Sequence, residues 1–279
     1  MSRYILAVSG GIDSVVLLDM FEWPKDTIVA HFNHGIRESA DDDCVFVEKL
    51  AKRYGFQFES ARLPLGKNCS EETARRARYD FLKHLAAEYN AEIVTAHHAD
   101  DCVESIIINL LRGTGWRGIA PFGDKDIFRP MQNLTKSDIY RYATEHQLRF
   151  RQDQSNNDDT YLRNRVRQRI NQQLDAETKQ KLLNLYRRQS EIRDDVDKII
   201  LQLLGAEKSI PRALLDETAA PENIEFLRSF LKAHDCSITR PQAERCLREI
   251  KNFTNGKKYS LDKQHFLVAG KQNYRLETL

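Results

Sequence analysis

Six residues near the N-terminus, Ser9-Gly10-Gly11-Ile12-Asp13-Ser14, combine the groups that bind an anion. They follow the apolar run Tyr4-Ile5-Leu6-Ala7-Val8 and open a helical pattern, Val15 to Phe21. Glycine lets backbone approach a phosphate closely, and the N–H groups of a helix start point toward it. The Ser9 and Ser14 hydroxyls add donors. No Gly-Lys-Ser/Thr is present, so this is not a Walker A loop. The Asp13 carboxylate would repel phosphate unless Mg²⁺ lay between them, so the loop implies a metal at Asp13.

Four further clusters have the residue types for chemistry. Ala30-His31-Phe32-Asn33-His34-Gly35-Ile36-Arg37 ends a β-branched run. Its His31, Asn33 and His34 could meet a nucleotide base or ribose, or simply satisfy loop hydrogen bonds. In the stretch Asn68–Leu82, Arg75 and Arg78 are three apart and share a helix face. That pair suits a phosphate, with Glu/Arg pairing on a solvated helix as the alternative. In His97-His98-Ala99-Asp100-Asp101-Cys102-Val103-Glu104, Asp101 and Glu104 form an i, i+3 acidic pair suited to an ammonium. His97, His98 and Asp100 are possible metal ligands, and Asp100 or Asp101 could instead cap a helix. Arg112, before Gly-Thr-Gly, could reach back to a phosphate or carboxylate. Last come Arg129-Pro130-Met131, the polar run 153–158, and Arg163, Arg165, Arg167 and Arg169. On a helix those four arginines fan round half the circumference, which suits a nucleic-acid backbone or a solvated basic surface.

The spacing of apolar runs supplies the elements that must hold these groups. Strands are expected at 3–8, 27–32, 56–62 and 92–97, with helices at 39–54, 70–89 (Ser70 as cap) and 101–111. Strands alternating with helices predict an α/β fold, a Rossmann-like parallel sheet with helices on both faces. Ligands of such sheets lie at the carboxyl ends of the strands. Three of the polar clusters follow three of these strands and should meet in one crevice. Long helical patterns then cover 161–204, and Gly205 reads as a stop. Residues 210–226 read as a connector, with Pro221 opening a helix to Lys232; another helix spans Arg240–Ile250, and the tail alternates as two or three short antiparallel strands. The expected division is a catalytic domain at 1–170, a helical connector at 171–209 and a small α+β domain at 210–279.

Composition narrows the class. The 279 residues are 41% hydrophobic, enough for a core, and no apolar run is long enough to span a membrane. The net charge of +2 hides an asymmetry. Residues 1–160 hold 20 Lys+Arg against 25 Asp+Glu, and 161–279 hold 23 against 16. A basic second part fits a polyanion, or chance patterning. The five cysteines are scattered without C-x-x-C spacing, so no zinc ribbon or thiol-ligated cluster is signalled. With no export signal, the expected location is cytoplasmic.

Ser9–Ser14 resembles the PP-loop of the N-type ATP pyrophosphatases. Taken in order, all the clusters resemble the tRNA(Ile)-lysidine synthetase family, over roughly residues 4–170. Ile36, Cys102 and Ser105 stand where that family usually has Leu, Gln and Thr. The resemblance implies an adenine nucleotide alpha hydrolase-like fold and a C–N-forming ligase. ATP would bind at Ser9, Gly10, Gly11, Ile12, Asp13, Ser14, His31, Asn33 and His34, with Mg²⁺ at Asp13. Catalysis would rest on Asp13, Asp101, Glu104, Arg75 and Arg112. Free L-lysine would sit at Asp101 and Glu104, and Arg163, Arg165, Arg167 and Arg169 would face the RNA. The implied partner is tRNA(Ile) with a CAU anticodon, without a membrane, and a homodimer is possible. Many bacterial members carry a further C-terminal domain, for which these residues leave no room, so the resemblance implies either a compact member or a shortened chain. The rival expectations are a PP-loop tRNA thiolation enzyme and a non-catalytic ATP-binding module.

Overall fold

The computed structural model describes residues 3–35, 40–63, 71–124, 126–151, 162–169, 173–205, 207–216 and 221–279. Ile36, Arg37, the expected Ser70 cap, the 153–158 run and Tyr161 lie outside them. The chain divides into two compact units, Met1–Arg187 and Arg188–Leu279. The boundaries drawn from sequence at 170/171 and 209/210 fall on either side of that division, which lies inside a single long helix.

In the first unit, five strands form one parallel sheet: β1 (Arg3–Ala7), β2 (Ile28–Asn33), β3 (Gln57–Arg62), β4 (Ala91–Val94) and β5 (Ile127–Phe128), in the order β3-β2-β1-β4-β5. The helices between and after them are α1 (Ile12–Met20), α2 (Ala40–Tyr54), α3 (Glu71–Tyr89), α4 (Ala99–Leu111), α5 (Lys136–Glu145) and α6 (Leu162–Arg169). Both sheet faces are covered, as the unbroken apolar runs require. Leu6, Val8, Val29 and Val94 pack on one face with Val16, Leu17, Val47 and Ile139. Their neighbours Ile5, Ile28, Ala30 and Ile93 point the other way, onto Leu82 and Leu85 of α3. The alternation is the period-2 pleat of each strand.

The order matters for chemistry. β1 lies between β2 and β4, and the chain leaves the sheet in opposite directions from β1 on these two sides. This is a topological switch point, where open parallel sheets bind ligands. The three polar clusters follow β1, β2 and β4, so they rise from three adjacent strands. The two-residue edge strand β5 and helix α5 are additions to the expected set.

The second helical stretch is α7 (Ala176–Leu204), ended by Gly205 at φ +73°. The second unit adds β6 (Ser209–Pro211), α8 (Ala213–Asp216), α9 (Pro221–Lys232), α10 (Arg240–Ile250), β7 (Lys258–Ser260), β8 (His265–Ala269) and β9 (Asn273–Thr278). Its antiparallel sheet runs β6-β9-β8-β7, so part of the expected connector, 209–211, is a strand. Its core holds Leu227, Phe230, Leu247, Ile250, Leu267 and Tyr274. Among the described residues, no helix is long and apolar enough to cross a membrane.

Candidate active site at the PP-loop

Ser14 Oγ is the hub of the Ser9–Ser14 loop. It accepts the N–H groups of Ser9 and Gly10, both at 3.2 Å, and donates to the Gly11 carbonyl at 2.9 Å. The Ser9 hydroxyl lies 3.2 Å from it and accepts the Gly11 N–H at 3.3 Å. Gly10 adopts φ +89°, and a Cβ there would meet Phe46 and Val47 of α2, each at 3.3 Å. The loop is thus held open by glycine where α2 packs closest. The first N–H groups of α1, which have no partner within the helix, face the same turn.

Asp13, in the first turn of α1, meets the start of α4. Its Oδ1 lies 3.7 Å from Nε2 of His98, and Asp101 Oδ2 lies 3.5 Å from the same nitrogen. His98 is 3% exposed, and its Nδ1 has no hydrogen-bond partner among the described residues. The N-cap of α4 is His98, and its backbone N–H donates at 3.1 Å to Asp101, so Asp101 closes the start of the helix from its third position rather than capping it. Burial alone would raise the Asp101 carboxyl, but His98, His97, Arg163 and that N–H hold it down at about 2. Asp100 also stays below the usual carboxylate range against its burial. Lys179 Nζ at 2.8 Å and the Lys136 N–H at 2.7 Å hold it there. Thr135-Lys-Ser-Asp is a capping box that starts α5 and brings Lys136 to this point. Its Nζ lies 2.5 Å from Asp13 Oδ1. Sequence reasoning misses Lys136 and Lys179; the Thr135 capping box is the signal available for the first.

α6 packs on α4. Arg167 grips Glu104 with Nε at 2.7 Å and Nη2 at 3.1 Å, and reaches Asp101 at 3.4 Å. Arg163 Nε is 3.5 Å from Glu104, and its Nη2 is 3.4 Å from the Ser105 hydroxyl. Burial would lower the Arg167 guanidinium, but Glu104 and Asp101 raise it above the usual arginine range. The four-arginine run therefore splits. Arg165 and Arg169 are exposed, whereas Arg163 and Arg167 turn to the acidic pair. This differs from the uniformly basic surface read from the alternation. Glu104 is 1% exposed, and a carboxylate so buried requires a cation.

A cationic wall completes the unit's polar interior. Arg75 and Arg78 lie over the ring of Tyr79, at 4.9 and 5.4 Å from its centroid. Arg129 lies over Phe122 at 5.0 Å and donates to the Asp124 and Ile127 carbonyls. Its buried Nε has no hydrogen-bond partner among the described residues. Burial lowers the Arg78 and Arg129 guanidinium pKa values. It also drives His97 down to about 3, with Arg129, Arg78 and Arg75 adding to the effect against Asp101. His97 is therefore a neutral imidazole, held by Thr95 Oγ1 at 2.7 Å from Nδ1.

The remaining expected residues are spread out. His31 Nδ1 is 2.9 Å from the Val8 carbonyl, and burial lowers its pKa. Asn33 donates to Asp41 at 3.0 Å and accepts the Gly35 N–H at 2.8 Å, and His34 meets the edge of Phe32. These contacts build the turn after β2. Arg112 is not brought to the acidic pair. It is exposed at the far end of α4, eleven residues from Asp101, or about 16 Å along the helix axis.

The loop and the N-terminus of α1 have the donors that phosphate oxygens take. Asp13, about a third exposed, is the carboxylate of this loop that could hold Mg²⁺ beside phosphates.

The PP-loop domain family matches residues 1–174. The bifunctional protein TilS/HprT of Listeria monocytogenes serovar 1/2a is 39% identical over 187 residues, covering 60% of this chain and 29% of that protein. The tRNA(Ile)-lysidine synthase of Geobacter sulfurreducens is 40% identical over 185 residues, covering 60% of this chain and 39% of that protein. The match thus spans well under half the length of either relative. Among solved structures, a U34-tRNA thiolase from Methanococcus maripaludis with its [4Fe-4S] cluster is similar at 15% identity and TM-score 0.47, covering 89% of this chain and 73% of that one.

Proposed function

The chain belongs to the PP-loop domain family, and from that premise we propose that it ligates free lysine to the wobble cytidine of a CAU-anticodon tRNA(Ile), in the cytoplasm, at the expense of ATP. The observation that carries the reading is the meeting of Asp13 and Asp101 on one nitrogen of buried His98. It joins the phosphate loop to an acidic helix start, as a reaction between a nucleotide and an amine needs.

ATP lies with its phosphates on Ser9–Ser14. Mg²⁺ held at Asp13 supplies charge neutralisation on those phosphates. The cytosine O2 attacks the α-phosphorus and pyrophosphate leaves. The lysine ε-ammonium gives a proton to water, the free amine attacks C2, and the C2–O bond breaks so that AMP leaves with that oxygen. Arg75, Arg78 and Arg129 offset the charge that grows on the phosphate oxygens. Asp101 and Glu104 hold the lysine ammonium beside the activated base, which supplies proximity. Arg167 stands at that pair as a cationic placeholder, so lysine binding requires α6 to yield its guanidinium. The outer arginines of α6, Arg165 and Arg169, meet RNA phosphates, which couples RNA binding to the lysine site. The anticodon base is splayed from its stack to enter the crevice.

Thiolate chemistry at this site is disfavoured by Cys102, which is buried on α4 with its thiol pushed up to about 12 by burial and Asp101. The test is incubation of the protein with ATP, Mg²⁺, labelled lysine and the tRNA. Label entering RNA together with AMP and pyrophosphate supports the proposal. ATP that is bound but never cleaved, or cleavage without label in the RNA, overturns it.

A further inference from the structure

We infer that the C-terminal unit carries a separate site for a borderline-soft divalent cation of the Zn²⁺ class, formed by Cys236, Asp262 and His265. Cys236 lies between α9 and α10, and Asp262 and His265 lie at the turn from β7 into β8. The donor atoms of all three are within 4.8 Å of one another, and no other trio of His, Cys, Asp or Glu among the described residues meets so closely.

The distances are close to those a tetrahedral ion needs. Cys236 Sγ is 3.9 Å from Asp262 Oδ2, and His265 Nδ1 is 2.9 Å from the same oxygen. Bonds of about 2.0 Å to nitrogen or oxygen and 2.3 Å to sulfur set donor spacings of about 3.3–3.7 Å. Small rotations of the His265 and Cys236 side chains bridge the difference.

The carboxylate is already oriented. Its Oδ1 accepts the N–H groups of Gln264 and His265, both at 2.8 Å, which turns Oδ2 toward the thiol, while His265 Nδ1 straddles the carboxylate at 3.0 Å from Oδ1 and 2.9 Å from Oδ2. Such outer hydrogen bonds fix ligands in metal sites. An Asp–His pair closing a turn accounts for the His265 contact alone. It leaves unexplained why the 1%-exposed thiol of Cys236, otherwise packed among apolar side chains, faces the same oxygen. Mixed sulfur, nitrogen and oxygen donors select Zn²⁺ over Mg²⁺ or Ca²⁺. Asp262 is exposed, so the fourth position opens to water. Binding displaces the thiol proton of Cys236 to solvent and ties the chain before α10 to the β7–β8 turn.

The full-length chain, stripped with a chelator, is titrated with Co²⁺ and then Zn²⁺. The expected result is one Co²⁺ per chain with a thiolate-to-cobalt charge-transfer band that Zn²⁺ abolishes. Cys236→Ala removes the band, and Cys44→Ala and Cys246→Ala keep it. His265→Ala and Asp262→Asn each weaken Co²⁺ binding at least about tenfold. The last variant changes one exposed atom, so it separates ligand loss from misfolding, which circular dichroism checks in parallel. No band, a band that survives Cys236→Ala, or unchanged binding in both other variants overturns the site.

Discussion

Arg167 closes on Glu104 with two parallel contacts, 2.7 and 3.1 Å, while Glu104 is 1% exposed. A buried carboxylate held bidentately is tolerated only while its partner remains. Arg167→Ala should therefore destabilise the first unit by about 2–4 kcal/mol, less than for a fully buried pair because Arg167 is a third exposed. The double variant Glu104→Gln, Arg167→Met should recover most of that loss. Urea midpoints for the three proteins decide it. An Arg167→Ala protein as stable as the parent would show that Arg163 alone satisfies Glu104.

Gly10 carries the second prediction. Its φ of +89° and the 3.3 Å approach to Phe46 and Val47 both oppose a side chain. Gly10→Ala should cost about 1–3 kcal/mol and abolish ATP-dependent pyrophosphate release. Gly55, at φ +75° with nothing within 4 Å of an added methyl, separates the two effects. Gly55→Ala should cost only about 1 kcal/mol. Equal thermal shifts for the two variants would remove α2 packing from the explanation.

Acid stability reports on His97. Its folded pKa is driven down to about 3 by burial, against an ordinary value of 6.5. Between these values the unfolded chain binds a proton that the folded chain refuses. Stability should therefore rise with pH across this window, and fall as pH drops from about 6.5 toward 3. His97→Gln should flatten that limb. Asp101 acts lower: its stabilisation is present above its unfolded pKa of about 4 and is lost as pH falls to about 2. Urea titrations from pH 7 to 3 test the His97 assignment; an unchanged slope in His97→Gln refutes it.

The fold was legible because β1, β2 and β4 are short, mostly apolar or β-branched runs followed by polar clusters, which is how a doubly covered parallel strand reads. β5 was not, because two residues at a sheet edge leave no periodicity. The PP-loop was legible because Gly10 and Ser14 act within six residues. The ion pairs were not. Lys136 meets Asp13 across 123 residues, and Lys179 meets Asp100 across 79, so only folding brings them together. The Arg163–Arg169 run looked uniform since a helix turns alternate residues by 200°. Which arginines face inward is decided by Glu104, on another helix.

Lys136 yields a prediction that separates stability from function. Its pair with Asp13 is about a third exposed on both sides, so it contributes at most about 1 kcal/mol. Lys136→Met should leave the urea midpoint nearly unchanged. It should lower ATP–pyrophosphate exchange at least tenfold, about 1.4 kcal/mol in the barrier, by removing a cation from the phosphate loop. Exchange at the parent rate would make the Lys136–Asp13 pair incidental.

The exposed arginines of α6 make the last prediction. If Arg165 and Arg169 each contact one RNA phosphate, each releases condensed counterions on binding. The slope of log affinity against log salt should then fall in magnitude by about 0.7 per lost contact for single-stranded RNA. Arg165→Glu, Arg169→Glu should weaken tRNA binding and reduce the slope by about 1–2, without changing lysine-independent ATP binding. Arg167→Ala should leave the slope intact, because its guanidinium is held by Glu104 and not presented to the nucleic acid. Filter binding across a salt series measures both. A slope that responds to Arg167 and not to Arg165 or Arg169 would assign the RNA contact to the inner face of α6, and with it reverse the roles given to the two faces.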